Sequence, residues 1–174
     1  FENAGQDCCA RSRILVEKSV FDKFMEGLEK SVKGVKVGDP TKNETEVGPL
    51  VHAKHLASVE AYLDKANVAF RGEAPEGAGN WFAPTVAISR GLDDPCMTDE
   101  IFGPIVTVHP FEDEEEAIRI ANATEFGLDL HAGDVRWMPN GEDIAPIAAL
   151  GQDRRKDLAQ ALGVGCLPLE AQRA

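Results

Sequence analysis

Apolar positions change period several times along the chain, and each change predicts an element. Residues 13–16 (Arg-Ile-Leu-Val) read as a short buried strand. Ser19 then precedes Phe21, Phe24, Leu28 and Val32, spaced by three and four, the period of a helix with one buried face. Lys30 and Lys33 suit the negative end of its dipole, and Gly34 stops it. Gly38, Asp39, Pro40, Gly48 and Pro49 mark residues 38–49 as a turn-rich connection. A second helix is expected over 51–66, with Leu56, Val59 and Leu63 facing inward. Residues 68–70 read as a short strand, followed by a loop rich in Gly, Pro and Glu. Residues 84–88 read as a further strand and 89–99 as an exposed stretch. Residues 105–108 are a continuous β-branched run, the clearest strand in the chain. Asp113 is placed to cap a helix over 113–123, with acids crowded into its first turn.

Strands thus alternate with helices, and the strands are apolar runs rather than alternating ones. Both features predict an α/β fold: an open, mostly parallel sheet with helices on both faces. Past residue 128 the pattern weakens. Residues 129–147 carry no clear period, and only 152–162, with Leu158 and Leu162 on one side, reads as regular. The chain is therefore expected to divide into residues 1–128, a partial domain, and residues 129–174, an atypical tail that packs loosely.

The composition bounds the function. With 174 residues, 43% of them hydrophobic, the chain can bury a core and is not a disordered polymer. No apolar run reaches the ~18–20 residues of a membrane span, so no membrane partner is expected. A net charge of -12 argues against a nucleic-acid groove, which needs cations to meet phosphates. Cys8, Cys9, Cys96 and Cys166 contain no Cys-x-x-Cys pair, and His52, His109 and His131 have no metal-ligand spacing, so no metal site is expected. Cysteine usage of this kind fits a reducing cytoplasm.

The chemistry concentrates in residues 1–10. A reactive cysteine needs exposure and thiolate character, and a preceding glycine lets the backbone bend and a substrate approach. On residue type alone, Cys8 and Cys9 read rather as small buried hydrophobes. Phe1-x-Asn3-Ala4-Gly5-Gln6-x-Cys8, followed by Ala10 and Arg13, closely resembles the catalytic cysteine motif of the aldehyde dehydrogenase superfamily. Glu100-Ile101-Phe102-Gly103-Pro104 is similar to that family's second signature. Gly48-Pro49-Leu50, Ala83-Pro84-Thr85 and Asn122-x-Thr124-x-Phe126-Gly127-Leu128 resemble further segments in the same order. The resemblance covers about residues 1–128 and is strongest to the betaine- and aminobutyraldehyde-type members. The chain opens at Phe1 inside the first motif, so it reads as a fragment of a longer protein.

The resemblance implies a catalytic-domain portion of an NAD- or NADP-dependent enzyme that oxidises a small aldehyde to a carboxylic acid. It makes Cys8 the nucleophile, with Cys9 as a neighbour. It places the Glu100 carboxylate on a cofactor ribose, Phe102 against the nicotinamide ring, and His55 near the ribose. His55 also reads as an ordinary helix-surface histidine, Glu100 as a surface carboxylate and Phe102 as a core aromatic. The full-length parent is expected to be a homo-oligomer. The family's upstream Glu-Leu-Gly-Gly-Lys segment, which carries the general base, does not occur in these 174 residues, nor does a later Pro-Phe-Gly-Gly segment. Two other readings stand beside this one. The first is a non-catalytic remnant of the same fold. The second is an acyl-transfer or hydrolytic enzyme that pairs Cys8 with a base such as His55.

Overall fold

The computed structural model describes residues 1–124. Strand β1 (Arg13–Glu17) leads into helix α1 (Phe21–Gly34), and a long connection reaches helix α2 (Ala53–Glu60). Strands β2 (Val68–Arg71) and β3 (Thr85–Ile88) follow, then the one-turn helix α3 (Pro95–Thr98), strand β4 (Ile105–Phe111) and helix α4 (Glu114–Ala121). The four strands lie in the order β1-β4-β3-β2. Strand β4 pairs in parallel with both β1 and β3, while β2 joins β3 antiparallel at one edge. The sheet is thus mostly parallel, as the apolar runs imply.

The register explains those runs. Val86 and Val108 point to one face, where Val16 joins them beneath Phe24 and Val32 of α1. Ala87 and Ile105 point to the other, packed with Val59 of α2 and with Leu50, Phe82 and Cys96. Further along that second face, Phe111 meets Met97 and Ile120 of α4. Helices therefore cover both faces, and a strand buried on two sides is near-continuously apolar, with buried Thr85 and Thr107 donating their hydroxyls to the Ala83 and Cys96 carbonyls. Asp113 caps α4 by accepting from the Glu116 amide at 2.9 Å, and the Glu116 carboxylate accepts from the Glu112 amide at 2.8 Å. That reciprocal pair satisfies two donors with no helical partner of their own.

Three readings depart furthest from the sequence expectation. Helix α2 starts at Ala53 and ends at Glu60, short of the expected 51–66. The chain tightens there, with the Tyr62 amide donating to Val59 and the Leu63 amide to Glu60, which turns it towards β2. Leu63 still packs on the core, so its apolar spacing persists while the helix does not. Residues 89–99 are not an exposed stretch. Asp94, Cys96 and Met97 are buried, and Asp94 caps α3 through the Cys96 amide. Strand β4 runs on to Phe111, carried past Val108 by pairing with β1. The expectations for residues 129–174 lie outside the described residues. Among those described, no helix is long and apolar enough to cross a membrane.

Candidate active site

The cysteine loop is built on three successive residues of positive φ: Asn3 at 48°, Ala4 at 55° and Gly5 at 68°. A left-handed conformation costs an ordinary residue about 1–2 kcal/mol, so the run needs outside support. Asn3 and Gln6 supply part of it. Asn3 Nδ2 donates to the Gln6 carbonyl at 2.8 Å, and Gln6 Nε2 donates to the Asn3 carbonyl at 3.2 Å. Gln6 Oε1 then accepts from the Val51 amide at 2.9 Å, which anchors the loop to the approach of α2. The neighbouring Leu50 amide donates to Asn80 at 2.9 Å, extending the tie to the loop before β3.

Gly5 supplies the rest. A Cβ at this position would stand 2.3 Å from the Gly103 carbonyl oxygen, so the two backbones lie directly against each other. Gly103 is constrained in turn, because its own Cβ would stand 2.7 Å from the Val59 side chain of α2. Both motifs singled out in the sequence are therefore stacked on one helix, glycine on glycine. Cys8 and Cys9 follow on an exposed turn, with their sulfurs 3.9 Å apart as thiols. Asp7 Oδ1 accepts from the Cys9 amide at 2.9 Å and fixes the turn. The exposure of both thiols rules out the buried-hydrophobe reading. Buried Cys96 is their contrast. Burial, and then Asp94, push its thiol pKa up to about 11, which leaves it protonated and inert at neutral pH.

The second motif is held from three sides. Arg13 of β1 donates from Nε to the Met97 carbonyl, and from Nη2 to the Asp99 carbonyl at 3.0 Å. Burial lowers the Arg13 pKa, and the carboxylates of Asp99 and Glu100 pull against that. Tyr62 donates its hydroxyl to Asp99 Oδ2 at 3.0 Å. Burial, and then Asp99, raise the Tyr62 pKa to about 12. His55 Nε2 lies 2.8 Å from the Phe102 carbonyl, so that nitrogen carries the proton and donates. Phe102 itself has φ 56° and is 37% exposed, which excludes a core role. A left-handed phenylalanine is a backbone outlier, and such outliers gather at functional sites. Its ring packs edge-on to His55 with centroids 6.4 Å apart. Glu100 is exposed on the same segment.

The structure thus brings His55 and Phe102 into contact and seats the Cys8 loop against the Glu100–Gly103 segment. A cleft of about 290 Å³ opens beside the seat, between Gly5, Asp7, Cys9 and Arg11 on one wall and Gly103 and Val106 on the other. Cys9 lines it and Cys8 does not. Sequence reasoning missed Tyr62 and Val51. Tyr62 had a signal, as the one tyrosine in the chain, three residues beyond an inward-facing valine. The Val51 contact uses only its backbone amide and had none.

Residues 1–132 match the model of the family described as "Aldehyde dehydrogenase family". The chain is 39% identical over 158 residues to betaine aldehyde dehydrogenase of Bacillus subtilis (strain 168), covering 86% of this chain and 31% of that protein. It is 38% identical over 133 residues to the NADP(+) succinate-semialdehyde dehydrogenase GabD of Escherichia coli (strain K12), covering 74% and 28%. Among solved structures, betaine aldehyde dehydrogenase from Staphylococcus aureus in complex with NAD+ superposes with a TM-score of 0.77 at 33% identity. That match covers 94% of this chain and 31% of the other. HpcC from Thermus thermophilus gives a TM-score of 0.79 at 32% identity, covering 95% and 32%. The chain spans about a third of the length of the curated relatives it matches. With two motifs in order, stacked on one helix, and with these matches, the chain belongs to the aldehyde dehydrogenase family.

Proposed function

We propose that these residues are the nucleophile-bearing part of an NAD(P)-dependent aldehyde dehydrogenase, with Cys8 as the catalytic thiol. The observation that carries the reading is the seat of Gly5 on Gly103, which joins the exposed Cys8 turn to the strained loop of Glu100 and Phe102. The Cys8 thiolate attacks the aldehyde carbonyl carbon. A carbon–sulfur bond forms, the carbonyl π pair moves to oxygen, and donors around the Cys8 turn receive the oxyanion. When bound, the nicotinamide dinucleotide supplies an acceptor for the hydride that the thiohemiacetal carbon gives up. The thioester left on Cys8 is cleaved by water, releasing a carboxylic acid and the thiol. Sulfur suits both halves, as a strong nucleophile and a good leaving group.

The residues present fit part of such a cofactor. An exposed carboxylate accepts from two ribose hydroxyls, and an exposed aromatic ring held by its backbone supports a flat ring. His55 acts here as a positioning residue, since its Nε2–H holds the Phe102 carbonyl. That bond commits Nε2, so a base role for His55 towards Cys8 would fall to Nδ1. Relatives bearing NAD+ or NADP(+) in their names support the cofactor class.

Two arms of one experiment test the proposal. Substoichiometric iodoacetamide and peptide mapping are expected to label Cys8 first. Predominant labelling of Cys9, Cys96 or Cys166 would overturn the assignment. In a full-length protein containing these residues, Glu100→Gln is expected to weaken NAD binding and slow hydride transfer from a deuterated aldehyde, leaving Cys8 labelling intact. Lost labelling with unchanged hydride transfer would show that Glu100 serves the thiol instead.

A further inference from the structure

The Cys8 turn carries more ligand chemistry than a single nucleophile needs. The ligand atoms of Asp7, Cys8 and Cys9 all lie within 4.8 Å of one another, and all three side chains are exposed. The two sulfurs are 3.9 Å apart. A tetrahedral zinc ion with Zn–S bonds of about 2.3 Å spans a sulfur–sulfur edge of roughly 3.8 Å, so the pair already has the spacing of two vertices. The bond from the Cys9 amide to Asp7 Oδ1 keeps the carboxylate beside them as a third donor. Spacing rules for structural zinc sites, with four separated ligands, do not cover such a vicinal set.

We propose that Asp7, Cys8 and Cys9 chelate a thiophilic divalent cation of the zinc–cadmium class, and that the bound cation withdraws Cys8 from catalysis. The chelate follows from geometry alone, while its inhibitory consequence rests on the function proposed for Cys8. As each sulfur–metal bond forms, the thiol gives its proton to water, so two protons leave per cation bound. The Asp7 carboxylate takes the third position, the six-coordinate aqua cation sheds five waters and keeps one, and no electron is transferred. The fourth position stays open to water, as in labile rather than structural zinc sites. The lone pair that would attack a carbonyl is then held in a bond to the metal. Thiolate donors select against magnesium and calcium, which prefer oxygen. The net charge of -12 raises the local concentration of any cation.

The test uses the whole, fully reduced 174-residue chain with Cys166→Ser, so that only Cys8, Cys9 and Cys96 are read. Cadmium is titrated against the thiolate-to-cadmium charge-transfer absorbance, with zinc in competition. One cadmium per chain is expected, with absorbance for two thiolates. Cys9→Ser should halve that absorbance, and both Cys9→Ser and Asp7→Asn should weaken binding at least about tenfold. Circular dichroism checks that these exposed-site variants fold. Zinc should slow Cys8 alkylation at least about tenfold in the parent chain, and magnesium should not. Unaltered affinity in both variants, or no saturable cadmium binding, would overturn the chelate. A two-thiolate cadmium site on a chain whose Cys8 is not preferentially alkylated when metal-free would uphold the chelate and sink the catalytic assignment.

Discussion

At Gly5 a single methyl group decides whether the two halves of the site can meet. Its Cβ would lie 2.3 Å from the Gly103 carbonyl oxygen, and its φ of 68° disfavours any side chain. The obstacle is backbone, which cannot swing aside as a side chain can. Gly5→Ala is therefore expected to destabilise the fold by about 2–4 kcal/mol, combining the left-handed penalty with overpacking. Urea unfolding at equilibrium measures it, and a loss below about 0.5 kcal/mol would show that the loop lifts off Gly103 at no cost. The same scale separates the cysteines. The buried Cys96 thiol is held protonated, whereas Cys8 and Cys9 stand in solvent.

At the scale of elements, α2 does the most positioning. Val59 receives Gly103, His55 holds the Phe102 carbonyl, and Tyr62, just past the helix, holds Asp99. Arg13 of β1 completes the frame through two carbonyls around α3. A planar fork with several fixed donors reaches both, which lysine cannot do. Strand β4 carries a different liability in His109, whose Nδ1 is buried with no hydrogen-bond partner among the described residues. Burial lowers its pKa; Glu116 opposes this, while Arg119 and Lys18 add to it. The folded chain thus holds this proton less tightly than the unfolded chain. The contribution to stability is complete above the ordinary value of 6.5 and is lost as pH falls below it. Thermal midpoints measured from about pH 7.5 down to pH 5 should fall further for the parent chain than for His109→Gln. Parallel curves would show that His109 titrates alike in both states.

At the scale of the whole molecule, two cores on opposite faces of β3 and β4 make the sheet the common support of both motifs. The site resting on it is only part of what the proposed reaction needs. On the proposed function these 174 residues hold the nucleophile, yet not the segment that carries the family's water-activating base. A general base alone is typically worth ~10²–10⁴ in rate. The purified chain is accordingly expected to reduce NAD with simple aldehydes no faster than a Cys8→Ala control, followed by absorbance of the reduced cofactor. Robust turnover would show that another group within the chain activates water.

The sequence by itself determined what depends on near neighbours. The period of residues 21–34, the cap at Asp113, the β-branched run opening at Ile105 and the two motifs were legible because propensity and spacing act within a turn or a strand. It misplaced the end of α2, because Leu63 keeps its spacing after the hydrogen bonds have tightened. It read residues 89–99 as exposed, because a short polar stretch gives no sign that Cys96 and Met97 point into the core. The frame of the site was decided only in three dimensions. Arg13 meets the Met97 and Asp99 carbonyls 84 and 86 residues away, and His55 meets the Phe102 carbonyl 47 residues away. Every residue has a carbonyl, so an acceptor of this kind leaves no mark in the amino-acid sequence. Its choice rests on where the sheet, α2 and the two facing glycines bring the backbone.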